Sequence, residues 1–73
     1  ANLTGADLTL ASLTEANLLA ANLTEADLTE ANLAGANLGG ANLTEANLGR
    51  ANMNGAIICN TIMPDDSVLF SGC

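Results

Sequence analysis

The chain has 73 residues, eight Asp or Glu against a single Arg, no Lys or His, and a net charge of −7. That length makes one domain at most, with an interior small enough to need added support. The charge argues against nucleic-acid phosphate and anionic membrane as partners, since both are neutralised by Lys and Arg, and leaves basic protein surfaces.

The longest apolar run, Leu18 to Ala21, has four residues, where a membrane-spanning helix takes about 20. No signal peptide is visible. The chain opens on Ala1 in mid-pattern, so we expect a processed form, a domain of something longer or an engineered chain.

Reading in fives from Ala1 gives one unit repeated twelve times, A-(N/D)-L-x-x. Alanine fills the first position of all twelve; the third is Leu from Leu3 to Leu48, then Met53 and Ile58; the second is Asn or Asp except at Ser12 and Ile57. Such self-similarity marks a solenoid. A period of five suits neither regular element. A helix would walk Ala and Leu around its circumference, and a flat strand would turn Leu to the opposite face at each repeat. A chain that turns a corner once per pentad reconciles the two. Positions one and three then face inward, four corners close a square, and residues i and i+20 stack at a strand spacing of about 4.8 Å. The expected fold class is all-β: a quadrilateral β-helix of three coils over residues 1–60, with a capping tail over 61–73.

Leu3, Leu23, Leu43 and Met63 then form one inner column, and Leu8, Leu28 and Leu48 the next, with Val68 a candidate to extend it. Burying each such side chain is worth roughly 1.5–3 kcal/mol. Leucines from all sides crowd each cross-section, so the neighbouring inward position holds no more than a methyl group, which explains the alanines. The position-two amides are expected to bond turn backbone and to ladder along the axis, Asn22 over Asn42 and Asn17 over Asn37.

The pattern, unbroken over residues 1–60, resembles the pentapeptide-repeat family. The resemblance implies a right-handed coil with the central Leu, and the small residue two before it, inside. The tail, from Cys59-Asn60-Thr61-Ile62-Met63-Pro64-Asp65-Asp66 through Ser71-Gly72-Cys73, is similar to an ending found on cyanobacterial members.

At Thr61 the inward alanine is lost, and Pro64-Asp65-Asp66-Ser67 reads as a turn. Val68, Leu69 and Phe70 follow; they are expected to cross the open lower end with Phe70 as a plug, because a last coil otherwise exposes core and strand edge. Cys59 and Cys73 stand at the boundaries of this tail. Joined, they close a loop worth about 3 kcal/mol in the chain-entropy model; the alternative is two unrelated free thiols. Two thiols without His or a CxxC spacing lack the ligands zinc takes, so no metal is expected, and nothing in the pattern calls for a cofactor. If the bridge forms in the cell the compartment is oxidising, periplasm or thylakoid lumen; otherwise the chain fits the cytoplasm equally.

Nucleophilic catalysis needs a base beside Ser, Thr or Cys, and there is no His or Lys to supply one. The expectation is a chain that is not an enzyme. The acids are uneven: Asp7, Glu25, Asp27, Glu30 and Glu45 fall on the first two faces, the other two carrying only Glu15, and Arg50 lies one coil below Glu30. Some members of the family it resembles inhibit DNA gyrase by imitating duplex DNA, but those are long rods with a dimerising extension. The leading expectation is a structural or protein-interaction module with an unknown protein partner; the alternative is an acidic decoy for a basic protein surface. Coil one, with Leu10 and Leu19 outward beside an open edge, is further expected to pair with its own copy as a head-to-head homodimer.

Overall fold

The computed structural model describes residues 2–71, which wind into a quadrilateral β-helix measuring 27 × 21 × 21 Å along its principal axes. Parallel bridges join Asn2, Asn22, Asn42 and Ile62 in one column, Asp7, Asp27 and Asn47 in a second, Ser12, Asn32 and Asn52 in a third, and Asn17, Asn37 and Ile57 in a fourth. Each column marks one face of the square, numbered one to four in chain order. Every face repeats the same three bonds between coils. On faces one and two, for instance, Leu23 N–H donates to Asn42 C=O at 2.8 Å, Glu25 N–H to Thr44 C=O at 2.9 Å, and Asp27 N–H to Ala6 C=O at 2.9 Å.

The corners are hydrogen-bonded turns. Ala26 N–H returns to Leu23 C=O at 3.0 Å, and the residue before it, Glu25, has φ 62°. An i→i+3 bond with a left-handed third residue is a type II turn. Ten Asn or Asp residues at position two brace these turns, each Oδ1 accepting the N–H two residues on, as in Asn22 Oδ1 to Thr24 N–H at 3.2 Å. The expected bond to turn backbone is there. The expected amide ladder is not: among the described residues the side-chain amides of stacked pairs such as Asn22 and Asn42 make no hydrogen bond to each other, each amide oxygen being held inside its own pentad.

Inside, Leu23, Leu28, Leu33, Leu38 and Leu43 are fully buried, and Ala21, Ala26, Ala31, Ala36 and Ala41 nearly so. Coil two is thus a complete core layer. Leu3, Leu8 and Leu13 above it, and Leu48, Met53, Ile58 and Met63 below, are only partly buried.

The tail follows one expectation and departs from another. Met63 packs against the core, as its place in the first inner column requires, and the coil bonding runs on past residue 60 to reach it: Ile62 N–H donates to Ala41 C=O at 3.0 Å and Leu43 N–H donates to Ile62 C=O at 2.8 Å. These are main-chain bonds, indifferent to the replacement of Ala by Thr61 and of Asn by Ile62. The chain then turns through an Asp66 N–H to Met63 C=O bond of 2.9 Å and comes back. Strand β1 (Ile58–Ile62) pairs antiparallel with β2 (Val68–Ser71), Cys59 opposite Phe70 and Thr61 opposite Leu69. The register steps between Cys59 and Thr61, where the left-handed corner residue Asn60 bulges out of the ladder. Val68 therefore does not extend the second inner column; it lies exposed on the returning strand. The Phe70 side chain, the expected plug, lies outside the described residues.

Candidate interaction surfaces

The five candidate acids come together around face two. Asp27 is bridged to Asp7 above it, and Glu25 sits over Glu45 at the preceding corner, its N–H bonded to Thr44 C=O. At the following corner Arg50 Nη1 lies 3.4 Å from Glu30 Oε2. Both ends of that pair are exposed, so it adds little stability. Within the cluster Asp27 is held below the ordinary aspartate pKa, first by the Thr29 hydroxyl and then by Thr29 N–H. Its carboxylate belongs to the turn rather than to a partner.

A second surface is the upper end. The N–H groups of Asp7, Ser12 and Asn17 point away from coil two and make no hydrogen bond among the described residues, whereas their counterparts Asp27, Asn32 and Asn37 donate to Ala6, Ala11 and Ala16 C=O at 2.9 Å. Beside this edge stand Leu10 and Leu19, 69% and 60% exposed. Leu19 reaches down over Gly39, where a Cβ would come within 3.1 Å of Leu19 Cδ1. A Cβ there would require the end of the Leu19 side chain to give by a few tenths of an ångström.

The described residues include no free cysteine, and Cys59 is only partly exposed on β1. Its expected partner, Cys73, lies outside the described residues.

One feature escaped sequence reasoning. Position five, the most variable, is left-handed throughout, from Asn60 at φ 56° to Gly55 at 73°. Eight of these residues are not glycine: Leu10, Glu15, Ala20, Glu25, Glu30, Glu45, Arg50 and Asn60. The available signal was the placing of Gly5, Gly35, Gly40 and Gly55, all at position five.

The model for pentapeptide repeats matches residues 1–29 and 21–58, in eight copies. HetL, a pentapeptide repeat protein involved in heterocyst differentiation regulation from the cyanobacterium Nostoc sp. strain PCC 7120, superposes with a TM-score of 0.91 at 39% identity, covering 93% of this chain and 32% of HetL. A second Nostoc pentapeptide repeat protein, alr5209, is 38% identical over 84% of this chain and 59% of its own, with a TM-score of 0.46. AT2G44920, a pentapeptide repeat protein from the Arabidopsis thaliana thylakoid lumen, is 30% identical over 82% of this chain and 49% of its own, with a TM-score of 0.38. The chain spans about a third of the length of HetL. No curated protein matches it significantly.

Proposed function

Because the chain belongs to the pentapeptide-repeat family, whose members are right-handed quadrilateral β-helices serving as structural or interaction modules and generally non-catalytic, we propose that it is a non-catalytic structural or protein-interaction module that meets a partner through coil one. The observation behind this reading is the exposure there of Leu10 and Leu19, the two most exposed large apolar side chains among the described residues. Apolar side chains standing out from a wall otherwise lined with polar ones favour contact with a partner.

The grouping of five acids around face two supports a second reading, a decoy for a basic protein surface. Capture experiments with wild type, Leu19→Glu and an Asp7→Asn/Glu25→Gln/Glu45→Gln variant separate the two. Docking through Leu10 and Leu19 predicts a partner lost in Leu19→Glu and kept at about 0.5 M salt, where exposed charges are screened. The decoy predicts a partner lost at that salt and in the neutralised variant. A partner indifferent to both changes contradicts both readings.

We also propose a Cys59–Cys73 bridge, which would staple the returning strand to coil three and place the protein in an oxidising compartment, periplasm or thylakoid lumen. What supports it is that Cys59, on β1, is not a free thiol.

A further inference from the structure

The chain carries one Asn-Gly pair, Asn54-Gly55, and the fold sets it apart from every other asparagine. The eight asparagines at position two are all engaged: their Oδ1 atoms accept the N–H two residues on, at 2.9–3.2 Å. Each is followed by Leu or Met. In coil two the N–H of that next residue also donates to the coil below, as Leu23 does to Asn42 C=O at 2.8 Å. Asn60 precedes the β-branched Thr61.

Asn54 stands instead at position four, on an exposed corner, with Gly55 beside it at φ 73°. Its carboxamide makes no hydrogen bond among the described residues. Nor does Gly55 N–H, although Gly5 and Gly35 N–H, at the same position of their pentads, donate to Thr24 C=O at 2.9 Å and Asn54 C=O at 3.0 Å. The chain reverses after Met63 and returns along β2 before a fourth coil reaches face three.

An unengaged carboxamide, an unengaged main-chain nitrogen and a glycine with no Cβ to shield it are the components of a cyclic imide. We propose that Asn54-Gly55 is a site of spontaneous modification by water in the folded protein. Gly55 N gives up its proton and bonds to Asn54 Cγ, and the carboxamide nitrogen leaves as ammonia. Water then opens the five-membered imide at one of its two carbonyls. One opening leaves an aspartyl residue at position 54; the other leaves an isoaspartyl residue, with the main chain routed through the side-chain carbons. Either product adds a negative charge to a chain already at −7.

The isoaspartyl product bears on the fold. Coils stack because every side of the square has five residues, and the rerouted chain is longer by one backbone atom at a corner, much as a bulge lengthens one strand against its neighbour. The carbonyl that accepts Gly35 N–H also becomes part of a free carboxylate. Coil three is loosened just ahead of β1, while coils one and two keep their bonds.

The test keeps the folded chain in warm, mildly alkaline buffer and follows each asparagine by peptide mass mapping. Methylation by an isoaspartyl-specific carboxyl methyltransferase reads the rerouted product, and a denatured sample measures full reactivity. Asn54 alone is expected to be converted, to both products, with the isoaspartyl fraction melting below unaged protein. Asn54→Thr, the residue at the same position in Thr4, Thr24 and Thr44, should lose the conversion and keep its melting temperature on ageing. Gly55→Ala, whose Cβ would meet nothing closer than Gly35 N at 3.9 Å, should be converted more slowly. Folded wild type still intact at Asn54 once the denatured sample has reacted overturns the proposal, as does equal conversion at Asn22 or Asn42. An isoaspartyl fraction that melts with the unaged protein overturns the loosening of coil three.

Discussion

The Thr61 hydroxyl donates to Leu38 C=O at 2.7 Å from a fully buried site, the inward position that the twelve preceding pentads give to alanine. The bond ties Thr61, at the start of the fourth coil, back to the last pentad of coil two. It also lets a β-branched residue occupy the core position where β1 begins to pair with Leu69.

Removing that hydroxyl tests whether it contributes. Thr61→Val keeps the branched shape and loses one buried hydrogen bond, a cost of about 0.5–1.5 kcal/mol. Leu38 C=O keeps its bond from Ala41 N–H, so the loss stays within that range. Thermal denaturation should show a lowered midpoint; an unchanged or raised one means the hydroxyl adds nothing.

The left-handed corners predict two changes of opposite sign. Gly5→Ala adds a Cβ with nothing within 4 Å, so it isolates backbone strain at φ 71°. It should cost on the order of 1 kcal/mol. Ala20→Gly, at φ 59° on an exposed corner, relieves the same strain and should stabilise by up to about 1 kcal/mol after the extra freedom of the unfolded glycine is deducted. Chemical denaturation of both variants checks the signs. Equal effects, or a stabilising Gly5→Ala, would contradict the turn assignment.

Much of this fold was legible in the sequence, because each inward and bracing position carries a residue suited to it. Ala26 and Leu28 face the core and Asn22 braces its turn as expected, and spacing by twenty correctly set Arg50 beneath Glu30. The left-handed corners were not legible, since Leu10, Glu15 and Arg50 have no preference for that conformation; the coil imposes it through the bonds on either side. The return of β2 was hidden for a related reason. Main-chain bonding carries the coil through Ile62 without the usual side chains, and an apolar triplet at Val68 reads the same whether it enters a column or lines an edge strand.

Acid should act on Asp27 in a defined sense. Its folded pKa is depressed by Thr29, so its stabilising effect is present above the unfolded value of about 3.9 and is lost as pH falls through the lower folded value. An NMR titration should find its midpoint below the ordinary aspartate value, and Thr29→Val should raise it. A midpoint unmoved by Thr29→Val would mean the hydroxyl does not hold the carboxylate.

The proposed staple predicts a Cys59–Cys73 peptide in non-reducing mass spectrometry. Reduction should lower the melting temperature by on the order of 10 °C or more, following from about 3 kcal/mol of chain-entropy stabilisation. Two titratable thiols in freshly purified native protein would remove both the bridge and the oxidising compartment inferred from it.

The bonding between coils is tested most directly by amide hydrogen exchange at the position-two residues of this 73-residue chain, which occupy equivalent sites in successive coils. Among the described residues Asp7, Ser12 and Asn17 N–H have no acceptor, whereas Asp27, Asn32 and Asn37 N–H are each bonded to the coil above at 2.9 Å. The first three should exchange close to the unprotected rate and the second three orders of magnitude more slowly. Comparable protection of both sets would contradict the coil-to-coil bonding on which the β-helix rests.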